Sequence, residues 1–196
     1  MAKVEHYYTR FEEGEFYHIY NRSIDKKLMF KNEGNNLFFL KKFHFYLDDV
    51  LTLYTYCLLE NHFHFLIKTS ENLDNYRIAN KISPAISAHE IISKQFRRFF
   101  QCYALSFNKQ HDRCGTLFQT PFKRARVKNN QYLIYLIYYI HSNAQKHGLI
   151  ADLKQWKWSS YNQILENENS LHQEIIQWFG DKEAYINFHI TNFDNL

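Results

Sequence analysis

Residues 51–69 read LTLYTYCLL-EN-HFHFLIKT, two β-branched and aromatic runs interrupted only at Glu60 and Asn61. An interruption that short admits a tight turn between antiparallel strands and little else. Side chains alternate along a strand, so His62, His64 and Leu66 share one face of the second run while Phe63, Phe65 and Ile67 take the other. The phenylalanine face belongs against a core. The imidazole pair either ends its face in a satisfied polar patch or holds a metal.

The flanking segments supply partners for this hairpin. EFYHIYNR (15–22) alternates with period two and reads as a strand, followed by the charged turn SIDKK. NNLFFLKKFHFYLDDV (35–50) spaces its apolar residues as an amphipathic helix. After a polar loop, ENLDNYRIANKIS, Pro84 stands near the start of a helix running to about Lys109, with Ile91, Ile92, Phe96, Phe99, Phe100 and Tyr103 on its apolar side. Gly115 breaks the chain. TLFQTPFKRARVK (116–128) is strand-like, Pro121 making part of it an edge or a bulge. NNQYLIYLIYYIHSNAQKHG (129–148) opens on asparagine caps and closes on Lys146, His147 and Gly148, so both ends carry helix signals. Its core stripe is Leu133, Leu136 or Ile137, and Ile140; a second stripe collects Tyr132, Tyr135, Tyr139 and Asn143.

This order predicts an α+β fold, a ferredoxin-like or RRM-like antiparallel sheet with helices on one face. It fills residues 1–161. Residues 162–196 form a C-terminal helical appendage that contains SLHQEIIQWFG and six acids from Glu166 onward against the one Lys182. Fold alone assigns no chemistry.

With 15 Tyr and 18 Phe against 5 Gly and 2 Pro, the chain is too rich in rings and too poor in breakers for disorder, and it shows no internal repeat. Cys57, Cys102 and Cys114 form neither a disulfide framework nor a zinc ribbon, which fits a reducing cytoplasm. The first sixteen residues lack a signal peptide's apolar segment, and no run of about eighteen apolar residues exists to span a bilayer, so a soluble protein without a membrane partner is expected. The net charge of +4 is unevenly spread. Lys94 to Lys128 hold nine basic residues and one acid, leaving −4 for the rest. Cations interleaved with Phe96, Phe99, Phe100, Phe107, Phe118 and Phe122 suit phosphate contact and base stacking on a single strand, although a solvated helix face has the same composition. Arg97, Arg98, Lys123, Arg124, Arg126 and Lys128 are the candidates for contact with nucleic acid.

Two imidazoles are too few to hold a metal, and a third donor must come from elsewhere in the fold. In YIHSN (139–143) Tyr139 and Asn143 lie one helical turn apart on one face. Asn143 can offer a carbonyl oxygen beside the two histidines while Tyr139 presents a hydroxyl. A free phenol, with a pKa near 10, attacks poorly. A cation beside a scissile phosphate assists it, and a phosphotyrosine intermediate would conserve the phosphodiester bond energy for rejoining.

These residues carry a resemblance. NHFHFLIK after an aromatic strand is similar to the HUH motif, histidine-bulky-histidine, of the single-tyrosine transposases that act on single-stranded DNA. GTLFQTPFKRARV, YIHSNAQKHGLI and WKWSSY resemble later segments of the same family, closest to the branch associated with repetitive extragenic palindromes (REP), over Phe16 to Tyr161. The resemblance implies His62, His64 and Asn143 as metal ligands, Tyr139 as nucleophile, Mg²⁺ or Mn²⁺ as cofactor, a homodimer, and cleavage in the flank of a DNA hairpin through a 5′-phosphotyrosine. Ala144 departs from the proline that usually follows the asparagine, which bears on the helix end rather than on any ligand.

Other readings compete. Tyr138 adjoins Tyr139 but faces elsewhere on the helix, and Tyr103 lies among Arg97, Arg98 and Lys109, with core packing as its alternative role. A catalytically silent binder would stack bases on sheet residues Tyr17, Tyr54, Tyr56 or Phe65. A phosphoesterase with paired His-x-Thr motifs finds only HIT (189–191).

Overall fold

In the computed structural model, which describes residues 8–166 and 169–191, β2 (Leu51–Leu59) and β3 (His62–Thr69) pair antiparallel about Glu60 and Asn61, with Leu59 opposite His62. β1 (Phe16–Arg22) runs antiparallel along the other side of β3, and β4 (Lys123–Arg126) closes the order β2-β3-β1-β4. α1 (Glu33–Leu47) connects β1 to β2; a short α2 (Asp74–Ala79) and the long α3 (Ala88–Gln110) connect β3 to β4. This is the expected ferredoxin-like arrangement.

Expectation and structure part over the second face of the sheet. Helices cover both faces, not one. α1 and α3 pack on the side of Tyr17, Ile19, Phe63, Phe65 and Ile67, where Phe39 sits at the centre with Phe63, Phe65, Phe99 and Tyr103 around it at ring separations of 4.7 to 6.0 Å. Edge-on, tilted and stacked pairs of this kind add about 0.5–1.5 kcal/mol each to the burial of the rings. The opposite face carries Tyr54, Cys57, Leu59 and Leu66, which are apolar too and need cover. α4 (Asn130–Lys146) supplies it with Leu133, Leu136, Ile137 and Ile140.

The tail completes that second core. α5 (Tyr161–Glu166), α6 (Ser170–Phe179) and α7 (Lys182–Thr191) bring Ile164, Ile175 and Tyr185 into one cluster with Leu66 and Leu136, and Trp178 stacks on Tyr54 of β2 at 5.3 Å. The described part of the tail, residues 162–166 and 169–191, set apart in sequence as an appendage, therefore shares a core with residues before 161. Three local details also differ from the sequence reading. α3 starts at Ala88 because Ser87 and Glu90 form a capping box, later than Pro84 suggested. Part of the polar loop is α2, and β4 is limited to four residues of the strand-like run.

The join between α4, α7 and β2 is polar and fully buried. His189 Nδ1 donates to the Tyr185 carbonyl (2.8 Å), so its Nε2 must accept from His141 Nδ1 (3.0 Å). His141 Nε2 then accepts from Ser160 Oγ (2.9 Å), which itself accepts from the Tyr56 backbone N–H (2.9 Å). In this arrangement every nitrogen of the two rings has a partner, and both rings are neutral. Burial pushes His189 down to about 4 and His141 well below its ordinary value. In the unfolded chain both would take up a proton below their ordinary value near 6.5. The stability His189 contributes is thus fully present above pH 6.5 and is lost as pH falls towards 4, by about 1.4 kcal/mol per pH unit, and His141 acts in the same direction. Urea midpoints measured across that window should fall with acid, and a His189→Gln variant should show a shallower slope. A midpoint independent of pH there would contradict the neutral network.

Candidate active site

The register between β1 and β3 sets Tyr20 opposite His64 and Arg22 opposite His62, so His18, Tyr20 and Arg22 share the imidazole face. β4 adds Lys123 opposite Tyr20, its ammonium 5.5 Å from that ring. α4 crosses this face and places the Tyr139 ring edge-on to His64 at 5.6 Å and to His18 at 6.0 Å. A cleft of about 360 Å³ results, lined by His62, His64, Tyr139 and His147 with the cations Arg22 and Lys123. The structure thus brings together His62, His64 and Tyr139, although Tyr139 stands 75 positions beyond His64 in the chain.

Hydrogen bonds orient the histidines. His62 Nδ1 lies 2.7 Å from the Asn61 carboxamide oxygen, an acceptor, which keeps a proton on Nδ1 and a lone pair on Nε2. His64 Nδ1 lies 2.9 Å from His18 Nε2, both rings buried. Burial pushes His62 down to about 4, with His147 and Arg22 adding to the effect; it pushes His18 down to about 3, and His64 well below its ordinary value. All three are neutral at pH 7, the state in which an imidazole can ligate.

Among the described residues no three His, Cys, Asp or Glu side chains group so as to hold a metal, so a third donor must be of another type. Asn143 is buried one turn beyond Tyr139, its amide nitrogen donating to the Tyr139 carbonyl at 2.6 Å. That bond leaves the carboxamide oxygen as the available donor, although Asn143 does not itself line the cleft. Two neutral imidazoles with Nδ1 partners offer two ligand positions of the kind a divalent ion takes, and the Asn143 oxygen, one turn beyond Tyr139 on α4, is a donor of a type such an ion accepts.

Tyr139 is half-buried; burial raises its phenol pKa, and the Asn143 amide pulls the other way. The Lys146 ammonium lies 4.6 Å from the Tyr139 ring centre. Burial lowers this lysine to about 8, which leaves it mostly charged at neutral pH. Such a charge over the ring favours negative charge developing on the phenol oxygen.

The proposed DNA contacts divide. Arg97, Arg98 and Lys128 are exposed and Lys123 lines the cleft. Arg124 and Arg126 alternate with Lys123 and so point to the opposite face. There Arg124 donates to the Thr9 carbonyl (2.7 Å) and lies against Phe11 and Phe122, while Arg126 pairs with Glu12 (2.8 Å) and Glu15. Arg22, His18 and His147 were missed in the sequence. The first two lie in FYHIYNR at the same parity as Tyr20, and His147 stands four residues beyond Asn143, so the strand and helix periods contain the signal.

The rivals have structural duties. Tyr103 is buried, its hydroxyl donating to the Met29 carbonyl at 2.5 Å, and Tyr138 is buried against Phe188 and His189. Tyr17, Tyr54, Tyr56 and Phe65 are all buried, so the open base-stacking sheet of a silent binder is not present. His189 of the HIT run belongs to the buried network.

Fold and cleft define an α+β domain of ferredoxin-like topology in which a histidine pair on the sheet faces a tyrosine on a covering helix, beside cations. Comparison with known proteins agrees with the resemblance read from the motifs: the chain is similar to the REP-associated tyrosine transposases. A Haemophilus influenzae protein assigned as a REP-associated tyrosine transposase is 29% identical over 114 residues, 57% of this chain and 60% of the relative, so the chain spans less than two thirds of that protein's length. The solved structure of a REP-associated tyrosine transposase bound to a REP hairpin superposes with a TM-score of 0.57 at 13% identity, over 80% of this chain and 82% of the other, which shows a shared fold. No protein-family model matches. Among the described residues no helix is long and apolar enough to cross a membrane.

Proposed function

We propose that this chain is a metal-dependent DNA endonuclease and strand transferase of the tyrosine transposase type, acting on single-stranded or hairpin DNA. The observation that carries the reading is the position of the Tyr139 ring, 5.6 Å from that of His64 in a cleft with Arg22 and Lys123. The sequence similarity to a REP-associated tyrosine transposase and the fold shared with one supports it.

Tyr139 Oη attacks the scissile phosphorus, the bond from phosphorus to the 3′ oxygen breaks, and the phenol proton is balanced by one taken up at the departing 3′ hydroxyl. A 5′-phosphotyrosine results, and attack by another 3′ hydroxyl reverses the step and joins strands. Mg²⁺ or Mn²⁺, held by His62, His64 and Asn143, would polarise the phosphoryl oxygens and stabilise the charge that grows on them. Arg22 and Lys123 hold the phosphate in the cleft, and Lys146 favours the phenolate. His18 fixes the ring of His64 and Asn61 fixes that of His62. Outside the cleft, Arg97, Arg98 and Lys128 contact the DNA backbone, so binding weakens steeply as salt is added.

With a labelled hairpin carrying an unpaired flank and Mn²⁺, denaturing gels should show a covalent adduct for the natural chain and for Tyr138→Phe, and none for Tyr139→Phe, which still binds the DNA. Persistence of the adduct in Tyr139→Phe would sink the assignment. Mn²⁺ titrated against the protein without DNA should bind at least tenfold more weakly to His62→Ala or His64→Ala, the loss expected for a first ligand being no smaller than that for its supporting partner. Unchanged Mn²⁺ affinity in both variants would remove the histidines from the metal site. The homodimer belongs to the same reading; because His62, His64 and Tyr139 of the cleft come from one chain, a sedimentation mass of one chain would remove the dimer and leave the chemistry standing.

A further inference from the structure

A second cavity, of about 490 Å³, opens on the α3 side of the same end of the sheet, between α3 and residues 116–122. Asn21, Gln119 and Pro121 line both it and the Tyr139 cleft, so the two depressions adjoin. Its walls are rings: Phe100 stands 5.0 Å from Phe118 and 5.3 Å from Phe122. Ala104 leaves the space open on the helix side, and the exposed Arg97 and Gln101 stand among its lining residues.

Apolar walls with a few polar groups are the composition of a pocket for a flat organic ligand rather than of a protein-binding face. Gln101 and Gln119 can each donate and accept, as the edge of a base requires, and a guanidinium beside the rings suits the phosphate that such a base carries. Continuity with the cleft names the source. We propose that this cavity receives one unpaired nucleobase of the strand being cut, close to the phosphate that Tyr139 attacks, and so helps to set which phosphate enters the cleft. This rests on the proposed function. A base held against the wall formed by Phe100, Phe118 and Phe122 would hold the backbone in register with the nucleophile, a task that charge alone performs poorly because successive phosphates are alike.

The experiment uses the full chain and a DNA hairpin whose unpaired flank carries 2-aminopurine at each position in turn. Stacking quenches this base, so one flank position should lose most of its fluorescence on binding. Ala104→Trp, which fills the cavity, should restore that fluorescence and weaken binding roughly tenfold, the share of a single stacked base. An abasic nucleotide at that position should weaken binding of the natural chain to a similar extent and leave Ala104→Trp unaffected. Gln101→Ala, at an exposed helix position, guards against misfolding of the tryptophan variant and should reduce the preference between bases at that one position. Tyr139→Phe should keep the quenching and lose the adduct. If the adduct forms and quenching is uniform along the flank, or is unchanged in both cavity variants, the cavity assignment is wrong and the proposed function stands. If Ala104→Trp instead changes the sedimentation mass and leaves DNA binding intact, the cavity serves contact between copies and the assignment is wrong. Failure of the natural chain to form any adduct would refute the proposed function, and the base pocket with it.

Discussion

Eight residues of β3 alternate between two enclosed faces, and the pairing with β1 then decides which polar groups the sheet holds away from water. On the α1 and α3 side the alternation delivers Phe63 and Phe65 to a core of rings. On the α4 side it delivers His62 and His64, each less than a tenth exposed. A strand slipped by one residue would exchange these sets, leaving imidazoles among phenylalanines and phenylalanines in the cleft. The hydrophobic core therefore specifies the site: burying the rings correctly is what aims the histidines.

Burial also sets the protonation that the site needs. Charging an imidazole inside the fold costs desolvation, so His18, His62 and His64 are all held neutral. A neutral ring has one donor nitrogen and one acceptor nitrogen. If His64 is to present Nε2 to a cation, its Nδ1 must donate to His18 Nε2, and the proton of His18 must then sit on Nδ1. For His62 the Asn61 oxygen imposes the same choice. Supporting partners of this sort fix both ring orientation and tautomer.

The hairpin was legible because it lies in the shortest-range signals, alternation and a two-residue turn, and Glu60-Asn61 is where the strands part. Tyr139 and Asn143 were legible as a pair because the helical period places them on one side of α4. The second covered face was not, since Leu66 and Leu59 need a partner and a strand pattern does not say whether that partner is a helix, a second copy or water. Arg124 and Arg126 illustrate a different limit. As basic residues in KRAR they look equivalent to Lys123, yet alternation separates them from it, and Glu12 and Glu15, more than a hundred positions away, neutralise Arg126. Composition records how many cations there are; only the register shows which of them face the cleft.

The tail bears on the chemistry through the rotation of α4. Adjacent tyrosines on that helix face different surroundings: Tyr138 turns to Phe188 and His189 of α7, Tyr139 to His64 and His18 of the sheet. His141, two residues on, is held from both sides by His189 and Ser160. A helix packed against the sheet by apolar side chains alone can turn by a fraction of its period at modest cost, because aliphatic contacts are not directional. The hydrogen-bond chain through His141 is directional, and turning α4 would leave buried nitrogen atoms without partners, at about 1–3 kcal/mol each. Residues 161–166 and 169–191, none of which lines the cleft, thereby help to hold the helix that carries Tyr139 in the setting that faces its phenol toward the histidines.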